Sequence, residues 1–233
     1  MVKPGQRVWS GAALRDLLNE PRTDARVSNY FDRSAGPHAG FTGAWFEHLG
    51  RELVRPDDRV TAHDLLAVQA LGVRVPAAAT IALLDTSLGD ALGELLAQVP
   101  RNLDLADEQA ADATASGSAA SQAWQLLRHR AKIGRVTTAK LLARQRPRLL
   151  PVWDSVVDCA LGWNMLGTGQ YWTKLRDELR EDDCALQGQL VDALDRLAMS
   201  GRVSPLRLFD VEVWTRHQQA HRAAGKLCTG MQK

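Results

Sequence analysis

Cysteine, aromatic residues and long apolar runs are all scarce in this chain, and each scarcity excludes something. The three cysteines, Cys159, Cys184 and Cys228, are odd in number and widely spaced. They spell neither a disulfide scaffold nor a metal-cluster motif, so reduced structural thiols are expected and no cofactor is implied. Tyr, with 2 residues, and Phe, with 4, are rare, and little else favours strands. No run reaches the roughly 18 apolar residues a membrane helix needs. Residues 1–7 lack the charged-then-apolar order of a leader, so a cytoplasmic chain without membrane contact is expected. A formal charge of only +2 shows no overall excess of one sign.

What is present is ordinary globular material, 45% hydrophobic and 24% charged, arranged at helical spacing. Ala12, Ala13, Leu14, Leu17 and Leu18 predict a helix that stops before Pro21. Residues 27–32 lead into a loop marked by Gly36, Pro37 and Gly40. A helix is expected to restart over 41–49, with Phe41, Trp45 and Phe46 in the core. Thr61 and Asp64 form a capping-box variant before Leu65, Val68 and Leu71. Pro76 opens a further helix, and Leu88, Leu92, Leu95 and Leu96 line another that ends before Pro100. Residues 104–118 are acidic and small, a polar helix or a loop. Helices then follow around Trp124, from about Val136, behind Asp154, over 171–179 and 186–197, and after Ser204-Pro205. The expected class is all-α: helical bundles centred on a hairpin between two helices. Residues 61–163 would form one bundle and 1–60 with 164–222 a second, unless the whole is one domain.

That hairpin, Ala131-Lys132-Ile133-Gly134-Arg135, opens onto a helix whose first turn offers unpaired N–H groups to an anion. Around it stand Arg128, Arg130, Lys132, Arg135, Lys140, Arg144, Arg146 and Arg148 with no acidic residue among them. Such a run suits a phosphate backbone, although a solvated helix face has the same composition. Asp154 precedes a helix and is an N-cap, a catalytic carboxylate, or both. His217 and His221 have metal-ligand spacing but no third ligand beside them in sequence, so a surface pair is expected and no metal.

Ile133-Gly134-Arg135-x-Thr137 followed by Val152-Trp153-Asp154-Ser155-Val156 resembles the helix-hairpin-helix DNA glycosylases of the endonuclease III type. With Gly134 set on the second hairpin glycine of that family, Asp154 falls without a gap on the catalytic aspartate. The resemblance implies DNA binding by Lys132, Ile133, Gly134, Arg135, Thr137 and Lys140. It also implies base release supported by Asp154, with Trp153 and Trp163 as candidates to stack on a flipped base. Lys132 stands where the family has its first hairpin glycine, and Val136 where bifunctional members carry a nucleophilic lysine. Valine has no amine, so only monofunctional chemistry is implied at that position. Lys140, one turn on, is a phosphate contact or a solvated lysine before it is a displaced nucleophile. The chain is also similar to an uncharacterised actinobacterial family, which brings no function. A non-catalytic DNA-binding module and a helical bundle for a small molecule or protein are the other readings.

Overall fold

A computed structural model describes residues 11–36, 38–51, 58–163 and 166–225. Among these residues every regular element is helical and no strand occurs. The elements are α1 (Gly11–Leu18), α2 (Thr23–Phe31), a 3-10 turn (Thr42–Trp45), α3 (Ala62–Ala70), α4 (Ala77–Asp85), α5 (Ser87–Ala97), α6 (Ala110–Ala113) and α7 (Ala119–Gln125), followed by a π turn (Leu126–Arg130), α8 (Arg135–Gln145), α9 (Ser155–Leu161), α10 (Thr168–Arg196) and α11 (Pro205–Ala224). They form two compact units. Tyr30–Val152 is one, and Met1–Asn29 with Trp153–Lys233 is the other. These bounds differ from a division at 61 and 163, because residues between 30 and 60 belong with the centre of the chain and Trp153 begins the other unit.

In the central unit the capping box at Thr61 forms as the sequence predicts: Thr61 N donates to Asp64 Oδ2 at 2.9 Å and Asp64 N to Thr61 Oγ1 at 3.3 Å. Asp64 is fully buried, and its other oxygen accepts from Arg144 Nε of α8 at 3.0 Å. Arg144 also donates to the carbonyls of Phe46 and Leu49. One turn earlier on α8, Lys140 is 3% exposed and gives its ammonium to Leu71 O at 2.9 Å. Arg146, 1% exposed, donates to Val99 O at 2.6 Å, to Leu96 O, and to Asp58 Oδ1 at 2.7 Å. Leu96 lies in the last turn of α5, where its carbonyl also accepts from Val99 N at 2.9 Å. The guanidinium there adds a second donor and opposes the negative end of the dipole.

Residues 23–31, whose sequence predicts no clear element, are helical although Val, Ser, Asn and Tyr are weak helix formers, because Val27 and Tyr30 share one buried face. One local expectation fails for a packing reason. Instead of a helix over 41–49, one 3-10 turn forms and turns follow. Phe41 stays outside it and stacks on Tyr30 at 4.9 Å. Phe46 is core, whereas Trp45 is half-buried beneath Arg33. Residues 104–118 resolve as turns around the single turn of α6.

In the terminal unit α1 packs on α10, and α11 on α9 and α10. Helix α10 breaks at 181–184, extended at Glu181 and left-handed at Asp182, Asp183 and Cys184. That break separates the two amphipathic segments predicted over 171–179 and 186–197. Helix α11 starts with Ser204 accepting from Arg207 N at 3.1 Å and Pro205 in its first turn. Every residue from 204 to 213 is buried. Its charges are paired accordingly: Arg207 with Asp210, and Glu212 with Arg26 at 2.9 Å and with Arg216.

Arg146→Met is expected to destabilise the chain by about 1–3 kcal/mol, since it takes the guanidinium donor from the buried Val99 carbonyl and leaves Asp58 with Arg101 alone; urea unfolding measures this. Burial works against the Asp58 charge, but the hydrogen bonds and charges of Arg146 and Arg101 outweigh it and hold the carboxyl below its ordinary value. A depressed carboxylate contributes stability that is fully present above the unfolded-state value near 4 and is lost as pH falls through the folded-state value. Unfolding free energy measured against pH should therefore drop below about pH 4, and Arg146→Met should flatten that drop.

Candidate functional site

The hairpin is built by the end of the π turn and the start of α8. Ala131 N donates to Leu126 O at 3.3 Å and Ile133 N to Leu127 O at 3.1 Å, which folds the chain back at Lys132. Ile133, 1% exposed, anchors the turn in the core, and Arg128 Nη1 holds its carbonyl at 2.7 Å. Lys132 is exposed and left-handed, with φ +53°. Gly134 is the N-cap of α8 with φ −63°, and a Cβ there would meet nothing within 4 Å. The conformational demand for glycine therefore falls on Lys132. Gly134 instead leaves open space before the first N–H groups of α8.

The basic run is largely consumed by the fold. Arg128, Lys140, Arg144 and Arg146 are bonded to carbonyls inside the central unit, and Arg148 is paired with Asp104. Arg130 and Lys132 are exposed and Arg135 is half-buried. Of the residues expected to touch DNA, Lys132 and Gly134 are thus exposed and Arg135 is half-buried. Ile133, Thr137 and Lys140 are buried, at 1%, 8% and 3% exposure, and are corrected to structural roles. The sequence could not separate them, because a lysine that caps a carbonyl and one that meets solvent look alike in composition.

Asp154 belongs to the terminal unit, the hairpin to the central one. Asp154 is the N-cap of α9 and accepts from Val156 N at 2.8 Å. Trp153 is 1% exposed and stacked on Tyr171 at 4.5 Å; Trp163 is 5% exposed and meets the edge of the same ring at 5.5 Å. Both tryptophans are core, so their expected role as walls for a flipped base is also corrected.

The terminal unit brings together a group that the sequence kept apart. His217 and His221 lie on one face of α11, and α9 sets Cys159 against them, with His217 Nε2 3.2 Å from Cys159 Sγ. One ligand atom from each of the three lies within 4.8 Å of the others. The histidines are half-buried rather than a surface pair, and the third donor, absent from the neighbouring sequence, comes from 58 positions away. Burial and the neighbouring His221 both lower the pKa of His217. Cys159 is disulfide-bonded, contrary to the expectation of reduced thiols throughout, while Cys184 is free.

Because Lys132 occupies left-handed backbone, Lys132→Gly should raise stability by about 0.5–1 kcal/mol, the relief of that strain less the added freedom of the unfolded chain. Thermal unfolding of the two proteins, with Gly134→Ala as a control for glycine replacement at ordinary φ, checks the assignment.

No curated protein and no solved structure matches the chain. One family does, described as a family of unknown function (DUF6308), over residues 23–217. That span takes in the hairpin, Asp154, Cys159 and His217, and the chain accordingly belongs to the DUF6308 family.

Proposed function

We propose that the chain binds the phosphate backbone of duplex DNA through the hairpin at 130–135. The observation that carries this reading is the exposed, left-handed turn at Lys132, leading through open Gly134 into the start of α8. A phosphate placed there would meet the first N–H groups and the positive dipole end of an 11-residue helix. The exposed Arg130 and Lys132 would supply the cations. The resemblance to helix-hairpin-helix proteins supports the same use of this turn.

The reading is quantitative about salt. Two phosphate contacts correspond to a slope of log K against log salt of about −2, whereas the eight cations of the sequence run would give about −7. Fluorescence anisotropy of a labelled duplex at several ionic strengths measures it. Lys132→Ser should lower the slope by about one and weaken all sequences alike. Affinity that does not change with salt would remove nucleic acid from the account.

Base release supported by Asp154 is the narrower reading that the resemblance implies. A duplex carrying a cationic abasic-sugar analogue tests it without a choice of base. Tighter binding of the analogue that vanishes in Asp154→Asn supports a monofunctional glycosylase. Equal affinity for modified and unmodified duplex leaves a DNA-binding module with Asp154 as a helix cap.

A further inference from the structure

We propose that the Cys159–His217–His221 cluster is a redox-gated site for a borderline-soft divalent cation of the Zn(II) kind, closed while Cys159 is in its disulfide and opened by reduction. The argument starts from the donor set. Two imidazoles and one sulfur are the ligands that such a cation selects, and two of them stand four residues apart on α11, so that one helix face presents both. The third comes from α9, packed directly against α11.

The spacing fits. Tetrahedral coordination at ordinary Zn–N and Zn–S lengths places donors about 3.3–3.6 Å apart. His217 Nε2 and Cys159 Sγ are 3.2 Å apart, and the widest separation in the group is within 4.8 Å. Side-chain rotation has at most about 1.5 Å to close. The second observation is His221 Nδ1, which is buried without a hydrogen-bond partner. A buried imidazole nitrogen in that condition costs stability, and coordination through Nδ1 would satisfy it.

The gate follows from sulfur chemistry. A disulfide sulfur carries no charge and is a poor donor, whereas the thiolate is the metal-binding form. Exchange with a dithiol breaks the S–S bond, leaves two protein thiols, and oxidises the dithiol to its own disulfide. The Cys159 thiol then loses its proton to solvent as the sulfur binds the cation. Electrons and protons balance without any further reactant.

Titration of the full chain with Co(II), followed by displacement with Zn(II), tests the proposal. Reduction is by a water-soluble phosphine, which takes oxygen from water to become its oxide and does not compete as a thiol. The expected result is one Co(II) per reduced chain with a sulfur-to-metal charge-transfer band. Binding to the oxidised chain should be weaker by about 100-fold or more, at least the loss seen when a supporting ligand contact is removed. The band should vanish in Cys159→Ser. His221→Ala should weaken binding by a similar factor at unchanged helical circular dichroism, and His221→Cys should restore it with a stronger band. This last pair decides the matter even where Cys159→Ser fails to fold. Equal binding before and after reduction, or His221→Ala binding as tightly as wild type, would overturn the site.

Discussion

The guanidinium of Arg146 sits where water does not reach, and its donors turn to the carbonyls of Leu96 and Val99 at the end of α5. Buried backbone acceptors must be satisfied, and a buried cation must be paired; here each requirement answers the other, with Asp58 closing the charge balance. Arg144 does the same for Phe46, Leu49 and Asp64, and Lys140 for Leu71. Helix α8 is therefore less a basic surface than a fixing rod, with cations that bind the irregular stretches of the central unit where no regular hydrogen-bond ladder is available. The position of the hairpin depends on this, because the hairpin is the start of the same helix.

The terminal unit solves the same problem differently. Helix α11 is buried all round over its first turns, so its charged side chains pair within the unit, Arg207 with Asp210 and Glu212 with Arg26 and Arg216. Towards its C-terminal half the helix becomes half-buried. At that transition His217 and His221 meet Cys159, dry enough to lose bulk hydration and near enough to the surface for exchange with solvent. Burial without complete enclosure is the environment in which imidazole and sulfur chemistry can be controlled by the protein.

These two arrangements change what the charge pattern means for function. A run of basic residues read along the chain counts every cation as available to a ligand, whereas the folded unit leaves a small cationic tip around an exposed turn. Weak, salt-sensitive attachment is what such a tip can supply. Trp153 and Trp163 undergo a comparable change of meaning: their sequence position suits a base-stacking wall, but their rings complete the core around Tyr171.

The sequence by itself determined what depends on neighbours along the chain. Helical periodicity, the Thr61–Asp64 box, the Asp154 cap, the Ser204-Pro205 start and the two segments of α10 are local interactions, and each was readable because its partners lie within a few residues. The tertiary structure alone decided which cations are spent on the fold, which aromatic rings are core, and that a turn at Gly43 replaces a helix, where a Cβ would lie 2.1 Å from the Tyr30 hydroxyl. It alone brought Cys159 to the histidines of α11. In all of these the partner is distant in sequence, and neither residue type nor spacing records which distant group a side chain will meet.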